Sequence, residues 1–243
     1  MEFNTIPGYL LTIIVPLYNE EDNLLRLARE LTDYLSLTTY RTKVLFVNDG
    51  STDKSGVIVE ELCAMHPAFS FICLNKNGGL STALKAGIDQ VQTRYTGYMD
   101  ADLQTSPFDF ELLMEFAGNY ELVTGIRTGR KDGLIKRISS RIANALRQAV
   151  TKDGVSDTGC PLKIFQTTAF RNIPFFNGMH RFLPALFLLG GGKVKEVPVR
   201  HFQRVAGKSN YHLYNRLFGP AADLMAFIWM RKRYIHYEIT GRG

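Results

Sequence analysis

The chain has few cysteines and lacks the common nucleotide-binding motifs. Its three cysteines, Cys63, Cys73 and Cys160, are odd in number and are not spaced like metal ligands. They predict reduced thiols and no disulfide framework. Neither G-x-G-x-x-G nor G-x-x-x-x-G-K-[ST] occurs at the first predicted strand, which argues against a dinucleotide-dependent enzyme and a P-loop NTPase.

Long apolar segments are also absent. Residues 1–10 show no basic region followed by an apolar stretch, so no secretory signal is predicted. The apolar stretch 217–230 has only fourteen residues and contains Pro220 and Asp223, so it is too short to span a bilayer. We therefore expect a cytoplasmic protein without a transmembrane helix, bound peripherally at the inner face of the membrane.

The two halves of the chain differ in charge. Residues 1–126 carry 8 basic and 17 acidic side chains, whereas residues 127–243 carry 21 and 6. A basic second half predicts binding of anions, which include phosphates, an anionic membrane surface and nucleic acid. A solvated basic surface is the alternative.

Apolar segments alternate with amphipathic ones in the first half. Residues 11–17, 43–47 and 71–74 read as strands, and each is followed by a helical pattern, the first with Asp22 or Asn23 as its N-cap. The alternation predicts an α/β fold with a mostly parallel central sheet flanked by helices. Ligands of such sheets bind beyond the carboxyl ends of the strands.

Polar residues follow each of these predicted strands and a fourth one, which ends at Asp100 and Asp102. They are Asn19, Asp49, Asn77, Asp100 and Asp102. Because the carboxyl ends of parallel strands meet at one edge of the sheet, we expect these side chains to converge on one crevice. Their convergence predicts a nucleotide site.

Asp100 and Asp102 are candidate metal ligands. Side chains at i and i+2 of an extended strand share a face, so both carboxylates can approach one cation. Mg²⁺ or Mn²⁺ accepts carboxylate oxygens and commonly shares its remaining positions with phosphates, which predicts a diphosphate substrate. An aspartate pair that only solvates a turn is the alternative.

Four motifs carry a resemblance to a known family. They are Val-Pro-Leu-Tyr-Asn-Glu at 15–20, Val-Asn-Asp-Gly-Ser-Thr-Asp at 47–53, Asn77 with Gly79 and Ala86-Gly87, and Asp-Ala-Asp-Leu-Gln at 100–104 with Pro107. In this order they resemble glycosyltransferase family 2, which has the GT-A fold. The nearer resemblance is to its dolichol-phosphate mannose synthase-like branch, which glycosylates polyprenyl phosphates.

The resemblance implies a site for a nucleoside-diphosphate sugar. It assigns the base and ribose to Pro16, Tyr18, Glu20 and Asp49, with Asn77 nearby. It assigns the diphosphate and its Mg²⁺ or Mn²⁺ to Asp100, Ala101, Asp102 and Gln104, with Asp102 also catalytic. Packing at a strand end remains open for Pro16 and Tyr18, a helix-start acid for Glu20, and turn formation for Asn77.

The basic half matches further motifs of the branch. Arg127 occupies a G-x-R position that suits a phosphate contact, and Asp157 lies in a D-x-G loop. This loop departs from the commoner pattern at Cys160-Pro161 and at Lys163. In the H-R-F-x-P element, Arg181 is the candidate catalytic residue, whereas His180 is expected to be a structural hydrogen bonder.

Residues 193–205 read as a strand that leads into an R-x-x-x-R-x-x-G-x-S segment. The resemblance implies a loop that closes over the diphosphate, in which Arg204, Lys208 and Ser209 donate to phosphate oxygens. A basic surface loop is the alternative. The amphipathic stretch 130–147 has a cationic face, and whether it lies on lipid or packs on the core is left open.

We expect a catalytic domain over 1–211 and an amphipathic C-terminal helix over 212–243. Phe218, Phe227, Ile228 and Trp229 are expected to enter the lipid headgroup region, with the basic residues 231–233 beside them. A dimer interface or a core helix is the alternative, so a homo-oligomer remains open.

The expected activity is inverting transfer of a sugar from a UDP- or GDP-sugar to a polyprenyl phosphate. One alternative is transfer to a saccharide or lipid hydroxyl, with Asp157 as the base. A noncatalytic nucleotide-sugar or nucleic-acid-binding module is the other, and the acidic first half disfavours nucleic acid because it repels phosphate.

Overall fold

A computed structural model describes residues 8–128, 147–203, 218–235 and Gly241. Seven strands form one sheet: β1 (Leu11–Leu17), β2 (Thr42–Asn48), β3 (Phe69–Cys73), β4 (Tyr95–Tyr98), β5 (Leu122–Arg127), β6 (Lys163–Gln166) and β7 (Val194–Val199). The helices are α1 (Glu21–Leu37), α2 (Ser55–Met65), α3 (Leu80–Gln90), α4 (Phe110–Met114), α5 (Thr167–Asn172), α6 (Leu183–Leu189) and α7 (Phe218–Arg231). Two 3₁₀ turns, Pro107–Asp109 and Met179–Arg181, and a helical segment at 147–151 complete these elements.

The strand order is β3-β2-β1-β4-β6-β5-β7. All the pairings are parallel except those of β6, which runs antiparallel to both β4 and β5. The mostly parallel sheet is therefore confirmed, and the reversed strand is an addition to it. Because β6 is reversed, it begins at the sheet edge where the other strands end.

The predicted elements of the first half lie within a few residues of the observed ones, but the predicted N-cap of α1 is wrong. The helix begins at Glu21, and Asn23 lies inside its first turn. The Asn23 side chain is buried there and donates to the Glu20 carboxylate over 2.7 Å.

Apolar side chains cover both faces of the sheet. One cluster joins β1 and β2 to α1, with Leu24, Leu27 and Tyr34 buried. The other cluster joins α3, α5 and α6 to the opposite face. Within it, Phe165 of β6 stacks on Phe170 with ring centroids 4.1 Å apart. Burial on both faces explains why the central strands read as nearly continuous apolar runs.

Helix α7 packs on the second cluster, and this corrects one expectation. Phe227, predicted to enter lipid, is only 1% exposed and stacks on Phe182 with centroids 5.5 Å apart. Met225 and Trp229 point outward and are 68% and 63% exposed. Within the described residues, no helix combines the length and apolar character needed to cross a bilayer. The domain division after residue 211 stays a prediction.

Replacing Phe165 by alanine should destabilise the fold strongly, because a fully buried ring between Phe170 and Phe187 is lost. We expect a fall of about 3–5 kcal/mol in the free energy of unfolding, measured by urea denaturation. Phe71→Ala is the matched control, since this ring is partly exposed on the edge strand β3 and its loss should cost about 1 kcal/mol or less. Equal losses in both variants would contradict the assignment of Phe165 to the core.

Candidate active site

The loops at the carboxyl edge of the sheet form the candidate site. They are the loops after β1, β2, β3, β4 and β7, together with the loop that precedes the reversed strand β6. The five polar residues predicted to converge, Asn19, Asp49, Asn77, Asp100 and Asp102, all lie in these loops or at their margins. The topology therefore brings them to one edge, as the sequence indicated.

The loop after β1 is cross-linked to the loop after β2. Asn19 has a left-handed backbone, with φ of 54°, which asparagine tolerates better than most residues. Its side-chain oxygen accepts from the Thr52 amide over 2.8 Å, and its own amide donates to Ser51 Oγ over 3.0 Å. The Glu20 amide donates to Ser55 Oγ over 2.9 Å. These contacts give Asn19 and the Glu20 backbone a structural role in shaping the crevice.

Asp49 organises the loop after β3. Its two carboxylate oxygens accept from the amides of Gly78 and Gly79, each over 2.8 Å. Gly50 has φ of +66°, and a Cβ there would meet the Lys76 backbone at 2.4 Å, so the two loops pack too closely for any other residue. Asp49 thus fixes the glycine loop, and its contact with base or ribose remains a prediction.

Pro16 is placed where it leaves the sheet intact. The Ile14 carbonyl accepts from the Met99 amide, so by strand alternation residue 16 also faces β4. That strand has ended there, and the missing N–H of Pro16 therefore breaks no ladder hydrogen bond. Pro16 and Tyr18 are both partly exposed at this edge. Their role in binding a base stays a prediction.

The aspartate pair lies in a turn, which corrects the expectation of a shared strand face. Strand β4 ends at Tyr98, before either aspartate. Asp100 accepts from the Tyr98 hydroxyl over 2.7 Å, and Asp102 accepts from the Gln104 amide over 3.1 Å. Leu103, which follows Asp102 and is buried, has φ of 56°, a conformation costly for leucine. Such local strain is characteristic of functional sites.

The two carboxylates create an unfavourable concentration of negative charge. Burial first, and then the charge of Asp102, raise the pKa of Asp100 to about 6, against opposing effects from Tyr98, Lys163 and Arg127. A nearby cation would stabilise the ionised form of Asp100 and so lower its pKa.

The donor chemistry of this turn fits a hard divalent cation such as Mg²⁺ or Mn²⁺, because Asp100 and Asp102 present only oxygen ligands. The described ranges contain no group of three or more His, Cys, Asp or Glu side chains arranged to hold a metal. Two carboxylates leave several coordination positions to water and phosphate oxygens. The Gln104 backbone is engaged by Asp102 and by the Phe202 amide, and metal binding by its side chain stays a prediction.

Arg127 and Asp157 form a bidentate ion pair beside this turn. Asp157 accepts from Arg127 Nε and Nη2 over 2.8 Å each, and from the Arg127 amide over 3.1 Å. Burial alone would lower the pKa of Arg127 and raise that of Asp157, but their hydrogen bonds and opposite charges outweigh it. The pKa of Arg127 is therefore raised and that of Asp157 lowered, so both groups are held in their charged forms.

The loop that carries Asp157 is fixed from two sides. Glu196 of β7 accepts from the amides of Ser156 and Asp157 over 2.9 and 3.1 Å. Lys163, fully buried at the start of β6, donates to the carbonyls of Thr158 and Cys160. Burial lowers the pKa of Lys163, while nearby negative groups such as Asp157 and Asp100 act against this shift.

The segment with His180 and Arg181 lies against the N-terminus of α3. His180 Nδ1 is 2.9 Å from Ser81 Oγ, and this hydroxyl also accepts from the Gly178 amide over 3.2 Å. Burial first, and then the charges of Arg181 and Lys163, lower the pKa of His180 to about 3. His180 is therefore neutral at physiological pH, which supports the structural role expected for it.

Three predicted donors, Arg204, Lys208 and Ser209, lie outside the described residues, as does most of the cationic stretch 130–147. The residues just before them are firmly tied to the site. Arg200 donates from its amide and Nε to the buried Asp109, each over 2.9 Å. The Phe202 amide donates to the Gln104 carbonyl over 3.0 Å, so the end of β7 is joined to the aspartate turn.

Sequence reasoning missed several residues that shape the site, among them Ser81, Asp109, Glu196 and Asp223. The sequence did contain a signal for Glu196 and Asp223, because residues 127–243 contain only six acidic side chains among many basic ones. The four of these that the structure describes accept from basic side chains or from backbone amides. They are Asp153, Asp157, Glu196 and Asp223.

Comparison with known proteins identifies sequence relatives. Residues 12–174 match the sequence profile described as "Glycosyl transferase family 2". The chain is 31% identical over 215 residues to an undecaprenyl-phosphate 4-deoxy-4-formamido-L-arabinose transferase from Edwardsiella ictaluri, covering 87% of this chain and 65% of that protein. It is 31% identical over 228 residues to a dodecaprenyl-phosphate galacturonate synthase from Rhizobium johnstonii, covering 91% and 67%. The chain thus spans about two thirds of these curated relatives.

Solved structures with the same fold are more distant in sequence. A mannosyltransferase from Pyrobaculum calidifontis, in complex with GDP-Man and Mn²⁺, matches with a TM-score of 0.64 and 19% identity, covering 98% of this chain and 69% of that one. Glucosyl-3-phosphoglycerate synthase from Mycobacterium tuberculosis, in complex with Mn²⁺, UDP-glucose and phosphoglyceric acid, matches with a TM-score of 0.66 and 14% identity, covering 94% and 81%. The GT-A fold expected from the resemblance is confirmed.

The neutral state of His180 predicts a pH effect on stability. Its folded pKa of about 3 lies below the unfolded value of 6.5, so below pH 6.5 the unfolded chain binds a proton that the folded chain does not. This group should lower the free energy of unfolding by about 1.4 kcal/mol per pH unit as pH falls from 6.5 toward 3. His180→Gln should reduce this slope by that amount in urea titrations at pH 6, 5 and 4. Equal slopes in the two proteins would contradict the assignment.

Proposed function

The chain belongs to glycosyltransferase family 2, and we propose that it transfers a sugar from a nucleoside-diphosphate sugar to a polyprenyl phosphate. Two findings support this proposal. The aspartate turn and the cross-linked loops lie at the carboxyl edge of the sheet, where ligands of such sheets bind. The two sequence relatives named above are called an undecaprenyl-phosphate 4-deoxy-4-formamido-L-arabinose transferase and a dodecaprenyl-phosphate galacturonate synthase.

The donor half of the proposed site is formed by the first half of the chain. Pro16, Tyr18, Glu20 and Asp49, with Asn77, are proposed to contact the base and ribose. Asp100 and Asp102, with Ala101 between them and Gln104 after them, are proposed to hold the diphosphate and a Mg²⁺ or Mn²⁺ ion. When bound, the cation would supply positive charge to the departing nucleoside diphosphate.

The ion pair of Asp157 with Arg127 is the observation that favours a phosphate acceptor over a hydroxyl acceptor. A sugar or lipid hydroxyl needs a general base, and Asp157 was the candidate for that role. Its two oxygens are instead held by Arg127, and its pKa is lowered, which makes it a weak proton acceptor. A phosphate monoester has its second pKa near 6 and is already largely anionic at neutral pH, so it needs no base.

The chemistry that follows is in-line attack. An acceptor phosphate oxygen forms a bond to the anomeric carbon while the bond from that carbon to the leaving diphosphate oxygen breaks, which inverts the configuration. Arg127, fixed by Asp157, and Arg181 are proposed to hold the acceptor phosphate against the repulsion of the donor diphosphate. Arg204, Lys208 and Ser209 are proposed to contact the diphosphate.

Transfer should be measurable with a short acceptor. With Mn²⁺ and a panel of UDP- and GDP-sugars, we expect farnesyl phosphate to yield a β-linked sugar phosphate by NMR and mass spectrometry, and farnesol or free sugars to yield none. Asp102→Ala should lower turnover by about a hundredfold or more with the fold retained. Asp89→Asn is a matched control, since Asp89 only pairs with Lys85 on an exposed helix turn. Transfer to farnesol, or an unaffected Asp102→Ala, would contradict the proposal.

The outer face of α7 is proposed to bind an anionic membrane surface at the cytoplasmic face. Met225 and Trp229 project from the helix into solvent, and Lys232 and Arg233 are exposed at its end. Apolar side chains beside basic ones suit the headgroup region of anionic lipid. Phe227 does not belong to this face because it is buried against Phe182.

Flotation with phosphatidylglycerol-containing vesicles tests the membrane face. The double variant Met225→Ser, Trp229→Ser should lose most of the lipid binding, because two large apolar side chains no longer enter the headgroup region. The control Leu37→Ser, Met65→Ser removes apolar side chains of similar exposure from helices α1 and α2 and should float like the wild type. Equal flotation of all three proteins would contradict lipid binding by the outer face of α7.

A further inference from the structure

Helix α7 contributes a charged residue to the candidate site. Arg181 Nη1 donates to Asp223 Oδ2 over 2.8 Å, and both side chains are partly shielded, with 31% and 19% exposure. A guanidinium has five N–H donors, so one ion pair leaves donors for a ligand.

The backbone around this ion pair is shaped to receive Asp223. Gly178 has φ of +88°, and a Cβ at this position would lie 2.3 Å from Asp223 Oδ2. The carboxylate therefore sits directly on the backbone that leads to Arg181. On the same side of α7, Phe227 stacks on Phe182 with the ring planes 8° apart. An aromatic contact and an ion pair, four residues apart on the helix, thus hold α7 against the 178–182 segment.

The same segment is anchored at the crevice on its other side. Ser81, at the start of α3, contacts both the Gly178 amide and His180. Arg181 lies between this anchor and Asp223. An arginine side chain loses substantial rotamer freedom when it binds a ligand, and fixing it in advance reduces that loss.

We propose that Asp223 is a positioning residue, which holds the Arg181 guanidinium in the orientation that binds the phosphate of the acceptor. This inference rests on the proposed function and adds to it a residue from outside the family-matched range 12–174. The helix whose outer face carries Met225 and Trp229 thereby also completes the acceptor side of the site.

The test is a double-mutant cycle with farnesyl phosphate as acceptor in detergent solution, so that membrane binding does not enter. The variants are Asp223→Asn, Arg181→Met and the two combined, with Asp89→Asn as the matched control. We expect Asp223→Asn to lower kcat/KM for farnesyl phosphate about tenfold or more, as for loss of a charge-assisted hydrogen bond. The KM for the sugar donor and the melting temperature should stay close to wild type. In the Arg181→Met background, Asp223→Asn should cause no further loss.

Other outcomes separate the inference from the proposed function. Unchanged or faster turnover by Asp223→Asn, or an equal further loss in the Arg181→Met background, would overturn the positioning role and leave the proposed function intact. A lowered melting temperature with equal losses for donor and acceptor would also overturn it, since that pattern marks a purely structural contact. A wild-type protein that transfers no sugar to farnesyl phosphate but turns over with a hydroxyl acceptor would overturn both.

Discussion

The repulsion between Asp100 and Asp102 is the constraint on which the arrangement of the site depends. Two carboxylates in one turn, with the pKa of the first raised by burial, are stable only where neighbouring groups offset their charge. Tyr98 donates to Asp100, and Lys163 and Arg127 act on the same carboxyl group from the neighbouring strands. The order of the sheet, which places β6 between β4 and β5, brings these cations to the acidic turn.

The cations in turn need partners of their own, because burying an unpaired charge is costly. Asp157 pairs with Arg127, Glu196 fixes the backbone of Asp157, and two carbonyls accept from Lys163. These interactions form one network that extends from the aspartate turn to β7. A network of this kind keeps its charged groups in place before a substrate arrives, which is the physical basis of electrostatic preorganisation.

The sequence predicted the part of this architecture that depends on local patterns. Apolar runs followed by polar turns located β1 and β2 and placed Asp49 at the crevice, because strand periodicity and turn chemistry are short-range properties. The antiparallel direction of β6 was not predictable, since four residues with one buried lysine carry no mark of their pairing partner. The partners of Arg127 and Arg181 lie 30 and 42 residues away, and only the fold brings them together.

Strand β4 divides the sheet into two groups of strands. Strands β1, β2 and β3 pair among themselves at one end, and β5, β6 and β7 pair at the other, with β4 as the seam between them. Loops from the first group face loops from the second across the crevice. Sequence changes in the second group can therefore alter the loops on one side while the strand pairing on the other side is kept. One side of the sheet can in this way stay constant among related chains while the other side varies.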